Sequence, residues 1–305
     1  MNHSAWEKLA RRVDAQELRM EKLRVYEGQD LVFSRDWKEG DFPRNIYSHT
    51  KTFVATLLGK YIEEGVISLE TRAVDLLPDK LPEGGNPGFE KIRLKHLLTM
   101  SSGLGKTLMG AQRRAGTGFP DPMKWLFAQP VKEEPGTNFM YSTGDSILMG
   151  RMLERATGKN LAVLMYEDLL RPMGIEQPLW ECDAQGHPIA GGGMHLKIEE
   201  QAKLGLLHLA GGKWNGEQLV PASWIREIGR KRIDTPAKNV WRCGYGYQVW
   251  LCPYPGAYRA DGMYGQITVV LPEQGWVVSY QCPEVGDDVA VLEAVHEAIL
   301  EAISA

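Results

Sequence analysis

At 305 residues the chain is long enough to bury a sizeable core, as one large domain or two smaller ones. With 43% hydrophobic residues, 24% charged residues and a net charge of −4, it has an ordinary globular composition. That weak acidity, without any lysine- or arginine-rich run, argues against a nucleic-acid partner, and no stretch approaches the ~20 apolar residues of a membrane span.

The opening "MNHSAWEKLARRVDAQELRMEKLRVYEG" is charged throughout and lacks the apolar stretch of a secretory signal. The expected location is the cytoplasm, provided no leader precedes it. Cys182, Cys243, Cys252 and Cys282 are scattered without a C-x-x-C pair. In a reducing compartment such cysteines are expected as free thiols rather than as disulfides or metal ligands.

Residues 4 to 19 read as an amphipathic helix, with Trp6, Leu9, Val13 and Leu18 near one face. "KLRVYEGQDLVFSRDW" reads as two short strands around a Gly28-Gln29-Asp30 turn. A helix is expected from near Ser48. From about 70 to 210 the pattern is mostly helical, broken by loops such as "LPDKLPEGGNPGFEK" and "AQPVKEEPGTNF". After a further helix in "PASWIREIGRKR", strands return as "GYGYQVWL", "GAYRADG", "GQITVVLPE" and "GWVVSYQC", the last two joined as a hairpin by Pro-Glu-Gln-Gly. "DDVAVLEAVHEAILEAIS" closes the chain as a helix. Strands at both ends with helices between predict an α+β fold: an antiparallel sheet domain from 1–70 and 211–305, and a helical insertion over 71–210.

Two motifs lead away from the chemistry. "MSSGLGKT", Met100 to Thr107, resembles a phosphate-binding G-x-x-x-x-G-K-T loop, but Met100 replaces the first glycine and "LKHLLTM" before it reads as a helix, not the required strand. A glycine-rich helix exit is the better reading. The seven histidines show no H-x-x-x-H or H-E-x-x-H spacing, so no metal is expected, and no other cofactor. His208, within "LGLLHLAGG", reads as a packed helix residue.

"YSHTKTFVATLLGKYIEEG", Tyr47 to Gly65, places Ser48 and Lys51 three residues apart where a buried helix begins. Ser48 could simply cap that helix, since serine is a favoured N-cap. Alternatively it is a nucleophile, because residues three apart share a helix face about 5–6 Å apart, within reach of a lysine base. A dry pocket would favour the neutral amine, and a helix N-terminus supplies N–H groups for a developing oxyanion. One S-x-x-K alone is weak. It gains weight because no other serine here has a lysine three residues later, and because "FMYSTGDSILMG" adds Tyr141 before a second helix.

In that order, with the glycine-punctuated strand "YRADGMYGQITVVLPEQGWVVSY", the pattern resembles the serine hydrolase family of class C β-lactamases and penicillin-binding proteins. That family also takes in D-alanyl-D-alanine carboxypeptidases, family VIII esterases and 6-aminohexanoate-dimer hydrolases. "IRLKHLLTMSSGL", "LLRPMGIEQPLW" and "AGGGMHLKIEEQAKLGLLHLAGGKWNGEQLVPASW" follow the same resemblance, which runs from about 45 to 280. It implies a β-lactamase/transpeptidase-like fold with the active site where sheet and helical region meet. Ser48 would be the acylated nucleophile, Lys51 its base or proton carrier, and Tyr141 the group that shares the proton and passes it to the leaving group. The backbone N–H groups of Ser48 and Met263 would form the oxyanion hole. Thr143, Ala260, Gly262 and Tyr264 fall where that family meets its substrate.

The sequence departs from the family twice. Thr143 replaces the usual asparagine and could serve only as a helix cap. Ala260 stands where lysine or histidine is common, its neighbours Arg259 and Asp261 being expected to pair on the other strand face. These departures bear on substrate rather than on acylation. They favour a small ester or amide, handled by a serine hydrolase, over a β-lactam or D-Ala-D-Ala peptide. A non-catalytic binding protein of the same fold is the third reading. The oligomeric state is not legible.

Overall fold

The computed structural model describes residues 3–109, 120–236 and 243–304. Helix α1 (His3–Asp14) leads to strands β1 (Lys22–Glu27) and β2 (Asp30–Asp36), which turn at Gly28 with φ 60°. A short strand β3 (Arg44–Asn45) and one 3-10 turn (Tyr47–His49) feed helix α2 (Thr50–Glu63). The middle of the chain carries α3 (Ala73–Leu76), α4 (Leu94–Leu98), α5 (Pro122–Phe127), α6 (Thr143–Thr157) and α7 (Leu161–Met165). Strand β4 (His195–Leu196), helix α8 (Ile198–Leu209), the pair β5 (Lys213–Trp214) and β6 (Glu217–Gln218), and α9 (Ala222–Ile228) follow. The chain ends with β7 (Trp250–Leu251), β8 (Tyr258–Gly262), β9 (Gln266–Leu271), β10 (Trp276–Gln281) and α10 (Asp288–Ser304). Among the described residues no helix is long and apolar enough to cross a membrane.

Six strands form one sheet in the order β2-β1-β10-β9-β8-β7, with antiparallel neighbours throughout. The two ends of the chain meet at β1 and β10, in register from Lys22 opposite Gln281 to Glu27 opposite Trp276. This is the sheet expected from both termini. The period of two sorts its side chains. Ile267, Val269 and Leu271 of β9, with Val278 and Tyr280 of β10, pack against Trp6 and Leu9 of α1 and Val295 and Ile299 of α10. The opposite face lies under α8 and carries polar groups bonded to it: Gln201 donates to Ile267 O at 3.1 Å and Ser279 Oγ at 3.0 Å, and the Thr268 and Ser279 hydroxyls are 2.8 Å apart. Cover on both faces leaves β9 and β10 without an exposed residue.

Helix α2 runs through the main core. Every residue from Thr50 to Gly59 is buried, and Phe53, Val54, Leu57 and Leu58 pack with Leu97 of α4, Leu148 and Met152 of α6, and Leu207 of α8. Truncating one such side chain to alanine costs ~2–5 kcal/mol, so the helix that begins beside Ser48 is a rigid mount.

Two elements differ from expectation. The first helix stops at Asp14, although Leu18 beyond it is still buried. "GYGYQVWL" is strand only at Trp250 and Leu251, because Gln248 turns to φ 59°. Its buried amide donates to Leu97 O (2.9 Å) and Leu98 O (3.1 Å) and accepts from Ser146 Oγ (2.8 Å). The alternating pattern there serves a bracket between α4 and α6, not a ladder.

Candidate active site

The chain enters the site from β3. Asn45 Oδ1 accepts from Tyr47 N at 2.8 Å, and Tyr47 holds a left-handed φ of 47°. A non-glycine residue there stores about 1–3 kcal/mol, and such strain concentrates at functional turns. It sets Ser48 in the short turn just before α2. Ser48 makes no side-chain cap for α2: the N-cap position is His49, without a side-chain capping bond. The helix-cap alternative is thereby removed.

Lys51, one turn on, is 1% exposed. Its Nζ lies 2.9 Å from Ser48 Oγ, 2.6 Å from Gly191 O and 3.4 Å from Thr143 Oγ1. A neutral amine has two N–H donors and one lone pair. Gly191 O and Thr143 Oγ1 can take both donors, which leaves the lone pair for the Ser48 hydroxyl. Thr143 opens α6 but is not its cap; Ser142 holds that position, and its Oγ accepts from Leu108 N at 3.3 Å.

Tyr141 stands just before α6. Its ring stacks on Trp250 with centroids 5.6 Å apart, meets Tyr245 edge-on at 6.3 Å, and has Lys51 Nζ 5.3 Å from its centroid. Ser48, Tyr141 and Met263 line one cleft of about 460 Å³, together with Thr107, Phe139, Met140, Trp250, Asp261 and Asp288. Met263 follows the last residue of β8. At Gly262 a Cβ would lie 2.2 Å from Ile46 O, so only glycine lets that strand end approach the turn carrying Ser48. Tyr264, at φ 60°, sets its ring edge-on to Tyr47 at 5.3 Å, beside the Ser48 turn but not among the residues lining the cleft.

Ala260 is not brought to the cleft. It is 4% exposed and packs near Thr52, His208 and Tyr258 under α2 and α8. Arg259 and Asp261 pair on the other face, Nε to Oδ2 at 2.8 Å, as the strand alternation predicts, and Asp261 also reaches the cleft wall. His208 is the expected packed histidine, 2.8 Å from Thr56 Oγ1 and 3.1 Å from the Tyr258 hydroxyl. Sequence reasoning missed Gly191 beside Lys51 and, in the cleft wall, Thr107, Phe139, Met140, Thr235, Pro236, Trp250, Asp261 and Asp288. Only Gly191 had a signal, the three-glycine run before Met194: a Cβ there would sit 2.5 Å from Thr143 Cγ2 and 3.4 Å from Lys51 Nζ.

A second depression of about 450 Å³ lies toward the far end of α6, beside Lys80, Arg151, Arg155 and Lys159. Its cations are already paired, Lys80 with Asp121, Arg151 with Glu154, Arg155 with Asp79 and Lys159 with Glu167. It offers no nucleophile.

The sequence matches the Beta-lactamase family over residues 24–298, which takes in every element of this cleft. The chain belongs to that family. Among curated relatives, the Acyltransferase mokF of Monascus pilosus is 29% identical over 154 residues, covering 44% of this chain and 37% of that protein. Esterase EstB of Burkholderia gladioli is 27% identical over 141 residues, 42% of this chain and 36% of that one. The chain thus spans little more than a third of the length of these curated relatives. Among solved structures, the octameric penicillin-binding protein homologue of Pyrococcus abyssi superposes with a TM-score of 0.77 at 18% identity, over 98% of this chain and 77% of that one. The penicillin binding protein of Bacillus halodurans gives 0.75 at 18%, over 97% and 99%. At such identities these two show the β-lactamase-like fold.

Proposed function

We propose that the protein is a serine hydrolase that cleaves a small ester or amide through an acyl-enzyme on Ser48. The observation that carries this reading is the 2.9 Å between Lys51 Nζ and Ser48 Oγ, beside a cleft that Tyr141 and Met263 share. In the first half-reaction Ser48 Oγ attacks the substrate carbonyl and its proton passes to Lys51. The backbone N–H groups of Ser48 and Met263 take the oxyanion. The bond to the leaving group then breaks, and the proton travels through Tyr141 to the departing oxygen or nitrogen. In the second half-reaction water gives up its proton by the reverse route, attacks the ester carbon and releases Ser48. Thr143 orients Lys51, and Gly262 and Tyr264 shape the substrate's entry.

A β-lactamase or D-Ala-D-Ala carboxypeptidase would share this chemistry, but its substrates carry a carboxylate. None of the described residues lining the cleft is lysine or arginine, whereas Asp261 and Asp288 are both there. Arg259 is 1% exposed and held by Asp261. That distribution favours neutral substrates, in keeping with the acyltransferase and esterase names of the curated relatives. The test is covalent labelling by a fluorophosphonate together with hydrolysis of p-nitrophenyl butyrate. Both are expected for the wild-type protein and neither for Ser48→Ala. A protein that neither labels nor hydrolyses would be a binding module of the same fold.

A further inference from the structure

The stretch from Met100 to Leu108, the near-miss for a phosphate loop, turns its polar groups toward Tyr141. Met100 O accepts from Met140 N at 2.8 Å and Met100 Sδ lies 3.4 Å from Ser142 N. Thr107 Oγ1 donates to Tyr141 O at 2.8 Å, and Leu108 O accepts from Gly144 N at 3.1 Å. The Tyr141–Ser142 peptide is therefore gripped at both its carbonyl and its N–H by one loop, which also holds the N–H of Met140 just before it. Met100 itself takes a left-handed φ of 55° to offer its carbonyl and sulfur to the same segment.

Besides the bond from Leu108 N to the N-cap Ser142, a buried side-chain pair ties this loop to α6. Ser102 Oγ donates to Asp145 Oδ1 at 2.9 Å, with Ser102 4% and Asp145 0% exposed. Asp145 Oδ2 has no hydrogen-bond partner among the described residues. Burial holds its carboxyl up at about 7, against the lowering effect of Ser102 and Ser142. A buried acid with half its acceptor capacity unused is a costly way to fill a core, where an apolar side chain would suffice. What it does here is tie the first turn of α6, three residues past Ser142, to the loop that carries Tyr141's neighbours.

We propose that Asp145 and Ser102 are a positioning pair that holds the Tyr141 phenol where it can protonate the leaving group. Neither touches substrate; both act through the peptides around Tyr141. The proposal rests on the serine-hydrolase reading for the role of Tyr141. Ser48 sits in the 3-10 turn before α2 and Lys51 on α2, with Lys51 held mainly by Ser48 Oγ and Gly191 O and meeting α6 only through the longer 3.4 Å contact to Thr143.

The consequence is a loss that depends on the leaving group. p-Nitrophenolate departs without help, whereas an alkoxide needs a proton, and positioned proton transfer is worth ~10²–10⁴-fold. Steady-state kinetics on p-nitrophenyl butyrate and ethyl butyrate, with fluorophosphonate labelling rates, should be compared for wild type, Ser102→Ala, Asp145→Ala and Asp145→Asn. Ser102→Ala and Asp145→Ala are expected to lower kcat at least thirtyfold more for the ethyl ester than for the aryl ester. KM and labelling should stay within about threefold. Asp145→Asn, which still accepts from Ser102, should retain most ethyl-ester turnover. Equal losses on both esters, or unchanged turnover of the ethyl ester, would overturn the pair. Should Asp145→Ala not fold, Ser102→Ala answers the same question by deleting one hydroxyl. If labelling and turnover persist in Ser48→Ala, the hydrolase reading itself has failed, a separate outcome.

Discussion

The carbonyl of Gly191 lies 2.6 Å from Lys51 Nζ, closer than the 2.9 Å from that nitrogen to the Ser48 hydroxyl. The lysine is held from behind by a loop more than a hundred residues downstream, and what it turns to Ser48 is set by that loop. Gly191→Ala would push a Cβ to within 2.5 Å of Thr143 Cγ2 and 3.4 Å of the amine. It should lower kcat by at least tenfold while thermal unfolding moves by only a few degrees. Ester kinetics beside a melting curve check this, and a fully active Gly191→Ala protein would show that the site takes the added methyl without displacing Lys51.

Lys51→Ala and Tyr141→Phe should each lower turnover by ~10²-fold or more. Groups that relay one proton act as a unit, so the double variant should be little worse than either single one. Multiplicative losses in the double variant would mean that they act separately.

Gly262→Ala tests the approach of β8 to the nucleophile turn. The added methyl meets Ile46 O at 2.2 Å, and backbone there can move only by separating the two proposed oxyanion donors, Ser48 N and Met263 N. Loss of one such donor costs ~10²–10³-fold in kcat. The expected result in ester kinetics is that loss with KM little changed.

Among the described residues lining the cleft, two carboxylates, Asp261 and Asp288, and no lysine or arginine give a substrate prediction. p-Nitrophenyl acetate or butyrate should be cleaved readily and a chromogenic cephalosporin slowly, for want of a charge-assisted bond worth about 1.5–3 kcal/mol to its carboxylate. Asp288→Asn should improve the cephalosporin's kcat/KM relative to the ester's. A wild-type cephalosporin efficiency on the order of 10⁶ M⁻¹s⁻¹, that of a good enzyme, would reverse this assignment.

Buried histidines set the acid limit of stability. Burial lowers His49 to about 4, and His208 and His296 to about 3, so all three stay neutral in the fold while the unfolded chain protonates them below ~6.5. A depressed histidine destabilises the fold as pH drops below that unfolded value, each by about 2 kcal/mol at pH 5. Asp145 works the other way. Its carboxyl, raised to about 7, favours the fold as pH falls from 7 toward 4. The urea midpoint should therefore drop between pH 7 and pH 5, and more steeply in Asp145→Asn.

Much of this was legible in the sequence because it is local. The hairpin of β9 and β10, the terminal helices and the Ser48–Lys51 spacing all follow from periods of two or 3.6 and from turn residues. Gly191, Trp250 and Asp288 were not legible, because each reaches the cleft from a distant part of the chain and none carries a local pattern that names its partner. Ala260 shows the converse. Its place in the strand suggested a contact with substrate, but the β8 pleat turns it into the core beneath α2, and its neighbour Asp261 reaches the cleft. Gln248 defeated the strand expectation by the same route, since its amide found carbonyls on α4 that no local pattern announces.

The proposed chemistry stands or falls on acylation of Ser48. Intact-mass spectrometry of the protein during turnover of a slowly deacylating aryl ester, followed by peptide mapping, reads that step itself. A mass increase of one acyl group is expected, located on the peptide containing Ser48 and absent from Ser48→Ala. Steady hydrolysis with no adduct on that peptide, or an adduct that persists in Ser48→Ala, would mean that Ser48 is not the nucleophile.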